Sequence, residues 1–250
     1  MIASLPMYLT PLTAAAYDRL WQAIRNHLTE AGIAAPARLM DNIPDHMAHW
    51  SAPDLLLSQT CGLPYRALLK DRVTLVGVPD FGLPDCPPGY YNSVLITRAD
   101  DPVAELSALA DRRFAYNEAL SQSGWASVAL SVPDILGGPK MMTGSHRASA
   151  RAVRDGQADF AAIDAQTWRQ MGDLGETDGL RVLHRTAPMP GLPLITRQAV
   201  LVPALQAAVD HGISTLGAED RDALGLRGLI RLSPAAYDLP IPPMPEAFSA

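Results

Sequence analysis

Short apolar runs of strand length alternate with amphipathic stretches of helix length along most of this 250-residue chain. That alternation restricts the fold more than any other feature. Residues 2–7 read as a strand, and residues 13–32 as a helix with Ala16, Leu20, Ile24 and Leu28 on one face. A short strand at 36–39, a helical stretch at 45–50 and a compact apolar strand at 54–59 follow. Next come a helical turn or two at 65–69, a buried strand at 73–78 and a loop dense in Pro, Gly and Asp at 79–88. Residues 90–97 alternate and are β-rich, which predicts one long strand. After Asp101 the pattern restarts, with a helix at 102–110, a strand at 113–116, a helix at 125–130 and a strand at 140–143. An Arg-rich helix at 145–155, stopped by Gly156, leads to a buried strand at 158–163 and a return strand at 181–185. A short strand at 194–196 and helices at 200–211 and 218–224 close the chain.

Strands and helices at this spacing predict an α/β fold with parallel strand pairs. The two βα sets join twice, near Thr97 and near Arg185. That predicts two lobes: residues 1–97 with 186–250 as lobe I, and residues 98–185 as lobe II. Two crossovers make a hinge and a cleft, with the C-terminal strand ends facing a ligand.

Composition excludes several partner classes. Net charge is −6, and binding to a phosphate backbone wants a basic face, so nucleic acid is not expected. Nothing approaches the run of about 18 apolar residues that a spanning helix needs. The first eight residues lack a basic start and a secretory apolar stretch, which predicts a cytoplasmic chain as given, and a periplasmic one if its start is truncated. The two cysteines, Cys61 and Cys86, lack metal spacing; a single bridge and two free thiols both stand. There is no phosphate-binding Gly-Lys loop and no dinucleotide fingerprint, so no cofactor is expected. His46 and His49 lie three apart beside Asp45 with no third ligand indicated, and no metal is expected.

One stretch carries candidate chemistry. Ser121, Gln122, Ser123 and Gly124 stand at a strand-to-helix junction. Small hydroxyl residues and a glycine there leave backbone N–H groups pointing one way, toward the positive end of the helix dipole. The same residues also suit an ordinary helix cap. His146 opens a later helix and Asp164 follows a later strand; from the residues alone His146 reads as a cap neighbour and Asp164 as a helix cap.

With these residues in place, the chain resembles the phosphonate/phosphite-type solute-binding proteins of ABC transporters, a branch of the type II periplasmic binding fold. The resemblance runs from about Pro6 to Arg197. Its carriers are Asp54-Leu-Leu-Leu-Ser-Gln59, Gly89-Tyr-Tyr-Asn-Ser-Val-Leu-Ile96, the 121–124 turn, Thr143-Gly-Ser-His146 and Asp159-Phe-Ala-Ala-Ile-Asp164. It implies two mixed sheets flanked by helices, and a small oxyanion bound between the lobes without turnover. It also implies phosphoryl contacts at residues 121–124 and His146, with Gln122 standing where the family usually has a threonine. Asp164 would read the far end of the ligand. Tyr90 or Tyr91 would face the cleft at the first crossover, the other one packing. Ser58, Gln59 and Thr60 replace an aromatic or Gly-rich turn at a first-lobe strand end, and Tyr8 is a further candidate. The implied partners are a small anion and an ABC permease, or a sensor protein. A second reading is a cytoplasmic enzyme on the same fold, like those of menaquinone- or thiamine-precursor pathways; no base–nucleophile pair stands out for it.

Overall fold

A computed structural model of the chain describes residues 1–245. The last five residues of the segment assigned above to lobe I lie outside the described residues. In chain order the first elements are β1 (Ile2–Ser4), α1 (Ala14–Glu30), α2 (His46–Ser51), β2 (Leu55–Gln59), α3 (Gly62–Pro64) and β3 (Thr74–Asp80). Then come β4 (Tyr90–Tyr91), β5 (Ser93–Arg98), β6 (Phe114–Tyr116), α4 (Ser127–Ser131), β7 (Lys140–Met142), α5 (His146–Arg154), β8 (Phe160–Asp164) and α6 (Ala165–Asp173). The chain finishes with β9 (Leu180–Arg185), β10 (Met189–Pro190), β11 (Leu194–Thr196), α7 (Val202–Thr215), α8 (Ala218–Leu224) and β12 (Gly228–Ile230).

The chain divides into two compact units, one of Met1–Tyr90 and Pro190–Leu239, the other of Tyr91–Met189 and residues 240–245. The boundary therefore falls before β5, whereas the sequence reading set it at residue 97. Residues 240–245 belong to the second unit.

The first unit holds a five-stranded sheet in the order β1-β2-β11-β3-β12. β1 and β2 pair parallel, while β11 runs antiparallel to both β2 and β3. Every residue of β2 is buried, which explains why its Leu55-Leu56-Leu57 run does not alternate. Helix α1 buries Ala16, Leu20, Ile24 and Leu28, the face its periodicity predicts, together with Tyr17 and Trp21. Each of the leucine and isoleucine side chains removed from water contributes about 2 kcal/mol. Packing against α7 is close enough that Gly212 lies against Ile24 and Leu20. A second cluster groups Trp50, Leu55, Tyr65, Leu69, Val78, Ile195 and Tyr237, with Tyr65 and Tyr237 ring-to-edge at 4.8 Å.

The second unit holds a sheet in the order β7-β6-β8-β5-β9. β6 pairs parallel with β7 and β8; β5 pairs antiparallel with β8 and β9. The sheets are thus mixed, as the resemblance implies, and not parallel throughout. The strand that enters this unit, β5, runs opposite to the β-α units that follow it. Aromatic packing fills the core: Phe114 stacks on Phe160 at 4.9 Å, and Tyr116 lies 5.4 Å from Trp125.

Several local expectations need correcting. Residues 36–39 form no strand; one bond from Met40 N–H to the Ala3 carbonyl is all that ties the segment to β1. The expected helix at 102–110 is reduced to a tight turn at Leu106–Leu109. The long strand at 90–97 breaks at Asn92, and β12 lies beyond the helix at 218–224 with which the sequence reading closed the chain. Cys61 and Cys86 are not joined by a disulfide. Asp45 caps α2 by accepting from Ala48 N–H at 2.9 Å, and the His46 ring stacks on Trp50, so neither is arranged as a metal ligand. No group of three or more His, Cys, Asp or Glu side chains suited to a metal occurs among the described residues. Among them too, no single helix is long and apolar enough to cross a membrane.

Candidate functional site

In the second unit, the chain leaves β6 and turns at Ser121, whose backbone is extended (φ −79°, ψ 126°). Ser121 Oγ accepts from Gly124 N–H at 2.9 Å, a side-chain cap. The helix that follows begins at Gln122, three residues earlier than the sequence suggests. Its first turn is wide: Ala126 N–H donates to the Ser121 carbonyl at 3.0 Å, and Ser127 N–H to the Gln122 carbonyl. Bonds that skip five residues mark a π-turn, a geometry enriched at functional sites. It runs directly into α4.

Ser121, Gln122 and Ser123 are all buried, 1–5% exposed. Of the N–H groups expected to converge on a ligand, two have internal acceptors. Ser121 N–H donates to the Glu118 carbonyl at 3.1 Å, and Gly124 N–H is held by the cap. Ser123 N–H belongs to the first turn, where no preceding helical carbonyl is in reach. The Gln122 amide lies against Met189 Sδ, so the residue that departs from the family pattern points its amide into the protein.

Gly124 has no room for a side chain. A Cβ there would stand 1.9 Å from Asn117 Oδ1 and 3.2 Å from Ser121 Oγ. Trp125, the next residue, is 4% exposed and packs on Tyr116 and Phe114, and its indole N–H donates to the Pro243 carbonyl at 2.9 Å. The turn is therefore anchored by core packing on its downstream side.

His146 is brought to this turn. It is the first residue of α5, capped by Ser145 Oγ, which accepts from Ala148 N–H at 3.1 Å. Its Nε2 lies 2.9 Å from Ser123 Oγ. Burial pushes the imidazole down to about 4; the Ala162 carbonyl opposes that fall and Arg147 adds to it. The ring is neutral near pH 7, so one nitrogen donates and the other accepts. The Ser123 carbonyl accepts two further hydroxyl bonds, from Ser93 Oγ at 2.9 Å and Ser127 Oγ at 2.6 Å. Sequence reasoning missed both serines. The Ser123–Ser127 spacing of four residues, typical of a helical hydroxyl bonding back to a carbonyl, was the available signal for one of them. Nothing local pointed to Ser93.

Asp164 ends β8 and caps α6, its Oδ1 accepting from Gln166 N–H at 2.8 Å and Thr167 N–H at 3.0 Å. It is 2% exposed, and the cap is the role this structure gives it. Of the tyrosine pair, Tyr91 is buried and Tyr90 half-buried, as alternation along a strand requires.

The first-unit candidates are engaged in that unit's interior. Ser58 Oγ bonds Ser4 Oγ at 2.7 Å, which in turn lies 2.7 Å from His49 Nε2. Gln59 Nε2 donates to the Leu192 carbonyl at 3.3 Å, and Thr60 N–H to the Pro193 carbonyl at 3.0 Å. Tyr8 is 3% exposed and meets the Phe81 ring edge-on at 4.9 Å. Polar residues at the end of a strand buried on both faces are stitched to neighbouring backbone, and here that accounts for most of their hydrogen bonds.

A family model described as "ABC transporter, phosphonate, periplasmic substrate-binding protein" matches residues 5–238. No curated protein matches the chain by sequence. Among solved structures, the PhnD1 protein of Prochlorococcus marinus in complex with methylphosphonate superposes with a TM-score of 0.67 at 14% identity, covering 95% of this chain and 94% of that one. A Xanthomonas citri protein bound to ATP gives 0.64 at 19% identity over 94% and 92%. A binding-protein component of a phosphonate ABC transporter from Pseudomonas aeruginosa gives 0.58 at 16% identity over 89% and 77%. At such identities these likenesses establish the fold.

Proposed function

The chain belongs to the family of periplasmic substrate-binding proteins of phosphonate ABC transporters, and from that premise we propose that it binds a small oxyanion of the phosphonate or phosphate class without turning it over. The negative end is held at the 121–124 turn. The observation that carries this reading is Ser123, whose N–H opens the first turn of a helix while its hydroxyl meets the half-buried, neutral His146. Neutral donors at the positive end of a helix hold a dispersed negative charge strongly, and without a fixed ion pair they also release it. Two relatives of the same fold hold methylphosphonate and ATP, both of which present phosphorus-bound oxygens. The enzyme alternative has no comparable support, because the family is one of binding proteins.

We place the protein's work in the periplasm, where the family works, with an ABC permease as the partner class; this replaces the cytoplasmic expectation. Fractionation checks the first point, and co-purification with a permease the second. Calorimetry with methylphosphonate and inorganic phosphate tests binding itself. Ser123→Ala weakens it by about 1–3 kcal/mol, the cost of losing a buried hydrogen bond to a charged group. The ligand's mass is unchanged after incubation. Absence of heat with phosphate, phosphite and methylphosphonate alike, or an unchanged affinity in the variant, refutes the assignment.

A further inference from the structure

Two hydroxyls from different elements meet on one carbonyl beside the anion turn. Ser93 opens β5 and is 1% exposed; Ser127 opens α4 and is 2% exposed. Both donate to the Ser123 carbonyl, at 2.9 and 2.6 Å. The main chain of Ser93 is itself fixed, its N–H donating to Thr186 Oγ1 at 3.0 Å and its carbonyl accepting from Thr186 N–H at 2.9 Å.

A peptide unit is rigid and planar, so holding the Ser123 carbonyl holds the Gly124 N–H on the opposite side of the same plane. That N–H donates to Ser121 Oγ. With its lone pair so engaged, the Ser121 hydroxyl proton is directed away from Gly124. The bonds thus run from β5 and α4, through one peptide plane, to a side chain of the turn. They also hold a turn that is wider than an α-turn, which a helix of ordinary sequence does not keep unaided.

We infer that Ser93 and Ser127 are positioning residues for anion binding: by clamping the Ser123 carbonyl they fix the wide turn and the direction of its donors. This rests on the binding assignment given above. Neither serine is assigned a contact with the ligand.

The test is the dissociation constant for methylphosphonate, measured calorimetrically well below the melting temperature of each variant. Ser127→Ala and Ser93→Ala each raise it about three- to tenfold, the range expected for one neutral hydrogen bond. Ser127→Cys keeps the shape with a slightly larger atom but donates weakly, and it behaves like the alanine variant. Because both hydroxyls act on one carbonyl, the double alanine variant departs from the product of the single effects. A general loss of stability lowers the melting temperature without moving the dissociation constant in this pattern.

If the unmodified protein binds methylphosphonate and both alanine variants bind it within twofold as well, the clamp is refuted and the binding assignment stands. A cysteine variant that binds like the unmodified protein also refutes it, since shape alone then suffices. If the unmodified protein binds no phosphorus oxyanion, the assignment fails and the clamp with it. Should one variant not fold, the other supplies the reading; failure of both to fold makes the pair determinants of the fold and overturns the proposal.

Discussion

Gly124→Ala isolates the packing of the turn from its chemistry. In an ordinary helix this change stabilises by about 1 kcal/mol, because alanine gives up less backbone freedom on folding. Here the new methyl would begin 1.9 Å from Asn117 Oδ1. An unstrained carbon–oxygen contact is about 3.3 Å, so the amide has to retreat by more than about 1 Å. The Asn117 backbone cannot yield freely, since its carbonyl accepts from Gly144 N–H at 2.8 Å. The side chain therefore leaves its rotamer, and overpacking of this kind costs about 1–3 kcal/mol. The net effect is a destabilisation of about 1 kcal/mol, a fall of roughly 2–4 °C in melting temperature for a chain of this size. Asn117 Oδ1 is buried and makes no hydrogen bond, so Asn117→Ala supplies a background in which the obstacle is gone. In that background only the 3.2 Å approach to Ser121 Oγ remains, and Gly124→Ala stabilises by up to about 1 kcal/mol, the plain helical gain. Differential scanning calorimetry of the four proteins in the cycle reads the sign in each background. The same sign in both would refute the steric account.

Two further expectations follow from geometry elsewhere. The imidazole of His146 is held down to about 4 in the folded protein, against about 6.5 in an unfolded chain. Below about pH 6.5 the unfolded state takes up a proton that the native state refuses, so stability falls as pH drops from about 6.5 toward 4. The loss reaches at most about 3 kcal/mol, less as far as solvent reaches the ring. Urea midpoints from pH 7 to pH 4.5 for the unmodified protein and His146→Gln check this, and parallel curves would contradict it. In the first unit, a methyl at Gly212 would lie 2.7 Å from Ile24 Cγ1 and 3.2 Å from Leu20 Cδ1, so Gly212→Ala costs about 1–3 kcal/mol by thermal melting. A variant as stable as its parent would show that α1 and α7 can separate without loss.

Elements with a long apolar period were legible in the chain. Helix α1 shows its buried face at four-residue intervals, and β2 and β8 are short apolar runs ended by polar residues. What failed was set by tertiary partners. The strand expected at 36–39 lacks a ladder, its Pro36 and Ala37 carbonyls being taken by the Trp21 and Gln22 side chains of α1, and the helix expected at 102–110 shortens where Arg181 reaches the Asp101 and Val103 carbonyls. The β12 strand is three residues long and exists because β3 offers its edge. At the candidate site, the residue types at 121–124 were readable, but the width of the turn was not. The same holds for Asp164: its sequence position suits a cap or a ligand contact, and only coordinates show which N–H groups its carboxylate accepts. Ser93 stands 30 residues from its acceptor, beyond any local pattern.

The order of strands in the two five-stranded sheets has a consequence for synthesis on the ribosome. Every strand of the β7-β6-β8-β5-β9 sheet lies between residues 93 and 185, so a nascent chain can assemble it early. In the other sheet β11 sits between β2 and β3, and it is made more than a hundred residues after either. Until residues 194–196 emerge, β2 and β3 each present an unsatisfied apolar edge, the kind of surface on which chains adhere to one another or to a chaperone. A nascent chain stalled near residue 189 is therefore half finished in an unequal way: one five-stranded sheet has all its strands, and the other still lacks β11 and β12.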